Sequence, residues 1–385
     1  MNRIILAIIF GTRPEAIKMF PIIYEIGKYP HLIDPKIIVT GQHREMLDQM
    51  LKIFHITPDY NLGIMENRQS LSQITKNSLL GIERILEKEK PNMVLVQGDT
   101  TTAFAGALAA FYQKIKIAHI EAGLRTNNKY YPFPEEINRH LISVLADFHF
   151  APTEKSCQNL LTEGVKRDNI FISGNTVIDS LFLMSKENYI FNEPLLREKK
   201  IVEKKFILVT MHRRENWGKP LRETCQAIFK LIEEYPDLMV IFPLHKNPEI
   251  RKNVNKILKN RRRVLLLDTL DYKDMVNLMC KSYIILTDSG GIQEEAPSLG
   301  KPVLVLRNET ERPEAVEAGV VKLIGTNGKR IVKEVRGLLD NRDRYRKMIR
   351  DINPYGDGKA SERIVKRILY YFNLIDQTPD EFKVK

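Results

Sequence analysis

The stretch Tyr283–Pro302, YIILTDSGGIQEEAPSLGKP, organises the reading of the rest of the chain. Tyr283–Leu286 is a short apolar run of strand type, ended by Thr287, Asp288 and Ser289. Gly290 and Gly291 are expected to turn the backbone tightly, and a helix is expected to open over Ile292–Leu299. Strand, small-residue turn and helix start together make an anion site. The first N–H groups of a helix lack internal partners and its dipole is positive there, so a phosphate fits. Glu294 and Glu295 follow within the first turn or two, where a carboxylate could hold a ribose diol. The plainer use of the same residues is Ser289 as an N-cap and the two glutamates as dipole complements. The rest of the chain favours the anion site.

With 385 residues the chain is too long for one ordinary core, and two domains are expected. Hydrophobic residues make up 43% and charged residues 28%, a soluble globular composition. No apolar run approaches the roughly 20 residues of a membrane span. The opening MNRIILAIIFGTRPE has the look of a signal peptide, but Ile4–Phe10 runs into a Gly-Thr-Arg-Pro turn with no small-residue cleavage site. A buried first strand and a cytoplasmic protein are expected. Cys157, Cys225 and Cys280 are odd in number, far apart and without C-x-x-C spacing, so neither a disulfide framework nor a metal site is indicated. The net charge of +12 raises nucleic acid as a partner. Its densest runs, Arg197–Lys205 and Lys259–Arg263, lack interleaved aromatics and read as solvated faces. A positive balance also suits an anionic small substrate.

Strand and helix patterns alternate along the chain. Strands are expected at Ile4–Phe10, Lys36–Val39, Met93–Gln97, Lys116–Ile120 and Phe148–Ala151, with helices through Tyr29, over Ser70–Lys90 and Thr101–Gln113, and from Glu135. Lys186–Lys205 is polar and charged, a crossing between domains. Alternation resumes with Phe206–Thr210, Met239–Pro243, Val264–Leu267, Tyr283–Leu286 and Val303–Leu306. Asn353–Gly358 is a turn cluster and Ser361–Phe372 a terminal helix. The expected fold is α/β, with two Rossmann-like domains facing a central cleft. The boundaries are 1–185 and 186–360, with residues from about 361 to 385 packing back on the first domain.

Ligands of open α/β sheets bind beyond the carboxyl ends of the strands. The polar groups there are Arg13, Gln42, Asp99, Glu121, His212, His245 and Ser289. Arg13, set by Pro14 at the start of its helix, can bind a phosphate bidentately, and Lys18 lies one turn on. Its plainer use is a surface pair with Glu15. His212, beside Arg213 and Arg214, tends to stay neutral unless an anion is bound; beside a diphosphate it could give a proton or hydrogen bond to a departing phosphate. Asp99 and Glu121 end consecutive strands, while Glu135 opens the following helix with Arg139 a turn further on. Carboxylates sharing a site push each other's pKa values apart, which allows acid and base roles. Metal binding is the competing use, but there is no D-x-D or compact His/carboxylate spacing. There is also no G-x-G-x-x-G and no Walker-type loop, so no cofactor is signalled and the anion site is expected to hold part of a substrate.

Together these motifs resemble the non-hydrolysing UDP-N-acetylglucosamine 2-epimerases. The matching stretches are FGTRPEAIKM (10–19), GQHREMLDQM (41–50), VQGDTTTA (96–103), HIEAGLRT (119–126), PFPEEINR (132–139), GNTVID (174–179), MHRREN (211–216), TDSGGIQEEAPSLGKPVLVLR (287–307), ERPEAVEAG (311–319) and NPYGDG (353–358). The resemblance implies the glycosyltransferase-B type of fold, with the C-terminal helix returning to the first domain. It implies that Arg13, Ser289, Gly290, Gly291 and Glu295 bind UDP, and that Asp99, Glu121, Glu135 and His212 are the acid/base and leaving-group residues. Lys18, Arg139 and Arg312 match polar positions of the active site. A second UDP-N-acetylglucosamine, an activator in some bacterial members, would be met at or near Gln42, Glu45, Arg68, Glu136, Arg213 and His245, with Glu45 where Gln is expected. Uracil contacts are expected around Tyr272 and Met275. A homodimer is implied, as is a product used in cell-surface polysaccharide or glycan synthesis.

The chemistry agrees. No ketone flanks the C2–H of the sugar, so simple proton removal and return is too costly. Either a nicotinamide oxidises the ring transiently, or UDP leaves with the C2 proton to give 2-acetamidoglucal; the missing dinucleotide fingerprint favours the second route. It needs a base at C2, help for departing UDP and a proton donor on the other face. A UDP-sugar-dependent glycosyltransferase or a hydrolysing 2-epimerase of the same fold stays open, as does a non-catalytic nucleotide-sugar sensor.

Overall fold

Ile4–Phe10 (β1) is apolar at every position, and a strand with no polar face must be covered on both sides. A parallel sheet crossed by helices provides that cover. The structure, a computed structural model, describes residues 3–41, 44–66, 69–198, 203–349 and 352–384. These form two compact units. One comprises Met1–Leu183 with Tyr355–Lys383, and the other Met184–Pro354 with the chain end.

In the first unit the further strands are Ile33–Val39 (β2), Tyr60–Asn61 (β3), Met93–Gln97 (β4), Lys116–Ile120 (β5), Phe148–Ala151 (β6) and Ile170–Ile172 (β7), in the order β3-β2-β1-β4-β5-β6-β7. All neighbours are parallel; β1 runs beside β2 from Ile4↔Ile33 to Phe10↔Val39 and beside β4 from Leu6↔Met93 to Ile9↔Val96. The order reverses between β1 and β4, and it is there that such a sheet opens a crevice for a ligand. The Ala-rich helix Thr101–Tyr112 lies close over this point: a Cβ on Gly106 would sit 3.3 Å from Ile9 and Val96. Phe10 and its neighbours are wholly buried, worth about 1.5–3 kcal/mol for each large side chain.

The helix Ala360–Tyr371 belongs to this unit. Lys359 gives its first turn no side-chain cap. Instead Asp179 accepts the N–H groups of Ala360 (3.2 Å) and Ser361 (2.7 Å). Burial pushes the Asp179 carboxyl up to about 6, and those bonds hold it back. Beyond the helix, Phe382 donates its N–H to Ile172 O (2.8 Å) and packs among Ala122, Ala151, Cys157 and Leu160.

The second unit repeats the plan with Phe206–Thr210 (β8), Met239–Pro243 (β9), Val264–Leu267 (β10), Ile284–Thr287 (β11), Val303–Val305 (β12) and Val321–Leu323 (β13). The order is β10-β9-β8-β11-β12-β13, again parallel and again reversing once, between β8 and β11. The polar segment expected as a crossing is held to this unit over its described part. Asp274, 2% exposed, accepts from the Tyr189 hydroxyl (2.8 Å) and from the N–H groups of Asn192 (2.9 Å) and Glu193 (2.8 Å). Three strands escape the sequence pattern. Tyr60–Asn61 has two residues, Ile170–Ile172 three between polar flanks, and Val321–Leu323 three with a lysine in the middle. β2 starts at Ile33, earlier than Lys36, because Asp34 and Pro35 hide its first half while still pairing with β1.

Candidate active site

At the switch point of the first unit, the turn after β1 is fixed from within. Thr12 caps the helix Arg13–Ile26, and Glu15 reaches back to it in a capping box. Glu15 Oε2 accepts from the N–H groups of Gly11 (3.0 Å) and Thr12 (2.8 Å) and from the Thr12 hydroxyl (2.7 Å), while Oε1 accepts from Thr100 (2.7 Å). One carboxylate thus ties the turn bearing Arg13 to the turn bearing Asp99. Glu15 is 1% exposed, and burial pushes it up to about 7 against the pull of these donors. Gly11 has no room for a side chain, since a Cβ would lie 2.1 Å from Thr40 Oγ1.

The turn after β4 carries Asp99, and Glu121 follows the last residue of β5. Glu121 has φ of +63°, a left-handed conformation that costs a non-glycine residue energy and is kept where structure over-determines it. Its carboxylate accepts from Lys18 Nζ through both oxygens (2.6 Å each), from Asn175 Nδ2 (3.0 Å) and from Gln97 Nε2. Oε2 lies 3.6 Å from where a Cβ on Gly98 would be, beside the Asp99 turn. Asp99 pairs with Arg139, and its carbonyl accepts from Asn138 Nδ2 (2.9 Å). Burial raises the Asp99 pKa, Arg139 draws it back, and the charge of Glu121 raises it again. His119, buried on β5, bonds through Nε2 to the Gly98 carbonyl (2.7 Å), and burial lowers it to about 3, so it is a fixed neutral prop. Glu135 opens its helix half-buried, with no side-chain bond among the described residues.

In the second unit, β11 is followed by Asp288, wholly buried, whose carboxylate organises the turn after β8. It accepts the N–H groups of His212 (3.0 Å) and Arg213 (3.0 Å) and Asn216 Nδ2 (3.0 Å), and it lies 3.1 Å from His212 Nδ1. Burial opposes its charge, but His212, Asn216 and the Arg213 N–H outweigh burial and hold it below the usual carboxylate range. The imidazole is thereby fixed through Nδ1 while 47% of the side chain stays exposed. The His245 ring stacks against it at 6.4 Å.

The cradle, the anion site expected at Ser289–Glu295, differs from expectation in one respect. Gly290 and Gly291 do not make the turn; they are the first residues of the helix Gly290–Glu295, and a 3-10 turn follows over Ala296–Leu299. Ser289, extended at φ −79° and ψ 130°, makes the turn instead, because strand-like backbone leads directly into the helix. A Cβ at Gly291 would stand 3.4 Å from Glu295 Oε1, and one at Gly290 3.8 Å from Arg213, ordinary contacts that leave room for a side chain at either position. The Ser289 hydroxyl makes no cap bond, so capping is not its use here. Glu294 pairs with Arg312, whereas Glu295 receives a bond of 3.5 Å from the Tyr272 hydroxyl.

Structure therefore brings Lys18, Asp99, Glu121 and Arg139 together in one unit and His212, Arg213 and His245 in the other, near the cradle. Glu136 is buried and engaged by the N–H groups of Thr126 and Asn127 (2.9 Å each) and by Arg139 (3.0 Å). Gln42 and Arg68 lie outside the described residues, as does the side chain of Glu45. Sequence reading gave no role to Gln97, His119, Asn175 and Asn216, weighed Glu15 only as a surface partner of Arg13, and took Asp288 only as the end of its strand. Gln97, His119 and Asp288 are polar residues at or next to a strand end, which is the signal that could have marked them, whereas Glu15, Asn175 and Asn216 sit further on, beyond the ends of β1, β7 and β8. Among the described residues no group of three or more His, Cys, Asp or Glu is arranged to hold a metal ion, and no helix is long and apolar enough to cross a membrane.

The fold class is the expected one, two Rossmann-like domains of the glycosyltransferase-B type. Residues 27–369 match the UDP-N-acetylglucosamine 2-epimerase family, and the chain belongs to it. It is 53% identical to UDP-N-acetylglucosamine 2-epimerase of Campylobacter jejuni, over 94% of this chain and 97% of that one. With the enzyme of the same name from Bacillus subtilis the identity is 50% over the whole of both chains. The crystal structure of UDP-GlcNAc 2-epimerase from Neisseria meningitidis bound to UDP-GlcNAc superposes with a TM-score of 0.82 at 48% identity, covering 95% of this chain and all of that one.

Proposed function

We propose that the protein interconverts UDP-N-acetylglucosamine and UDP-N-acetylmannosamine without hydrolysis, by eliminating UDP and adding it back. A carboxylate takes the proton from C2, the C1–O bond breaks, and UDP departs with that electron pair, leaving 2-acetamidoglucal. Re-addition returns a proton to C2 on the opposite face as the C1–O bond re-forms. The observation that carries this reading is the contrast between neighbouring strand ends. Glu121 is held by Lys18, Gln97 and Asn175 as an anion would be, while burial and the charge of Glu121 push Asp99 toward its protonated form. Two carboxylates biased in opposite directions are what an acid and a base require. Glu135 completes the set.

In the second unit, phosphate binding falls to the helix start at Ser289, Gly290 and Gly291, with Glu295 at the ribose; in the first unit Arg13 is the phosphate-binding residue. His212, oriented by Asp288, supports the leaving diphosphate through its exposed Nε2 edge. Arg139, engaged by Asp99, acts as a fixed positive charge in the first unit, and Arg312, engaged by Glu294, as one in the second.

The test uses UDP-N-acetylglucosamine labelled with oxygen-18 at the anomeric bridge, incubated in heavy water without nicotinamide. Deuterium at C2 together with scrambling of the label into the non-bridging β-phosphate oxygens is expected. Deuterium with the label still bridging refutes elimination; free sugar and UDP as the end products point to the hydrolysing reaction, and sugar on a second molecule to a transferase.

A further inference from the structure

Asn175 stands between β7 and the helix Thr176–Met184, 3% exposed. All its polar groups are engaged. Its backbone N–H donates to the Tyr355 carbonyl (2.6 Å), its Oδ1 accepts from the Val177 N–H (3.0 Å), and its Nδ2 donates to Glu121 Oε1 (3.0 Å). The Val177 bond settles which end of the amide is which. With Oδ1 committed to the helix start, only the NH2 group can face Glu121.

We infer that Asn175 is a positioning residue for the reaction, holding the Glu121 carboxylate charged and aimed. The inference rests on the reading of Glu121 as an acid/base group. An amide donor without charge favours the anion of Glu121 and offers the protonated form nothing to donate to. It does so from a helix start that is independently fixed, so it resists any swing of a side chain whose own backbone sits at a left-handed φ. Charged and titratable groups that face Glu121 include Lys18 from the helix after β1, Asp99 from the turn after β4 and His119 on β5. Lys18 supplies charge on a long, rotatable stem, whereas Asn175 supplies direction.

Two substitutions separate this role from helix capping. Asn175→Asp keeps a good cap acceptor but replaces the donor by a second carboxylate about 3 Å from Glu121, and two such groups cannot both ionise. The acid limb of the kcat–pH profile should move up by on the order of one unit or more, giving roughly a tenfold loss of turnover on that limb that is recovered at higher pH. Asn175→Ser also keeps the cap but is too short to reach Glu121; kcat should fall with KM and melting temperature close to wild type. Turnover is followed as C2 epimerisation by proton NMR, with Glu121→Gln measured alongside. A wild-type profile for both Asn175 variants with an inactive Glu121→Gln overturns the inference alone. Wild-type turnover of Glu121→Gln overturns the reading of Glu121 and the inference with it. Should Asn175→Asp fail to fold, Asn175→Ser decides: undiminished kcat refutes positioning, and reduced kcat at unchanged KM supports it.

Discussion

Replacing Asp288 by Asn keeps the shape of a wholly buried side chain and removes the charge that organises the His212 turn. The native carboxylate accepts from the N–H groups of His212 and Arg213 and from Asn216 Nδ2, all at 3.0 Å, with His212 Nδ1 at 3.1 Å. An amide has one acceptor oxygen where two are in use, so at least one of these donors would face an NH2 group. A buried donor left that way costs about 1–3 kcal/mol. For a unit of roughly 150–250 residues each kcal/mol lowers the melting temperature by about 2–4 °C. Turnover should suffer more, because an amide no longer fixes which imidazole nitrogen carries the proton; losses of about 10²- to 10⁴-fold are the scale for such a change. The pH dependence has a definite sign. The folded pKa of Asp288 is depressed below 3.8, so its charge contributes stability above that value and the contribution is lost as pH falls through the folded value. The melting gap between wild type and Asp288→Asn should therefore be full at pH 7 and close below about pH 4. Thermal melts across that range and C2 epimerisation measured by NMR check both parts. A variant with wild-type turnover, or a gap that ignores pH, would refute the role assigned to Asp288.

His212→Ala should lower kcat by about 10²–10³ while UDP affinity, measured by calorimetry, changes much less; near-normal turnover would remove His212 from the mechanism. Glu15 is displaced the other way from Asp288. Its folded pKa is raised to about 7 from 4.5, so its contribution is fully present below 4.5 and lost as pH rises through 7. Relative to Glu15→Gln, which cannot ionise, the wild-type protein should lose up to about 3 kcal/mol between pH 4.5 and 8.5 in denaturant titrations. A difference that stays flat with pH would show that the Glu15 carboxyl is not raised.

Sequence legibility followed the strength of the local signal. β1, β4 and β8 were readable because a strand buried on both faces is apolar over nearly its whole length, as in IILAIIF and FILVT, and β5 because Ile117, Ala118 and Ile120 keep that run despite Lys116 and His119. Tyr60–Asn61 carries too few residues for any pattern, and β2 was shortened because Pro35 sits where its ring is tolerated yet argues against a strand. Gly290 and Gly291 were read as the turn after β11, but they are the first two residues of the helix that follows. Their composition signals a turn, yet the extended Ser289 makes it, and a side chain at either glycine would meet only ordinary contacts.

The same asymmetry governs the site. Which residues carry charge at the strand ends can be read from the chain, because parallel sheets put their chemistry at one edge. What each charge does depends on partners remote in sequence. Asp288 meets His212 from 76 residues away, and Asn175 meets Glu121 from 54. Glu15 was weighed as a surface partner for Arg13, yet it is turned inward, because the unpaired N–H groups after β1 and the Thr100 hydroxyl compete for the same carboxylate. In each case the buried polar residue must satisfy its hydrogen bonds within the fold, and this requirement fixes the geometry of the exposed residue next to it. Asp288 is hidden so that His212 can be presented, and Glu15 so that the Arg13 and Asp99 turns keep one spacing.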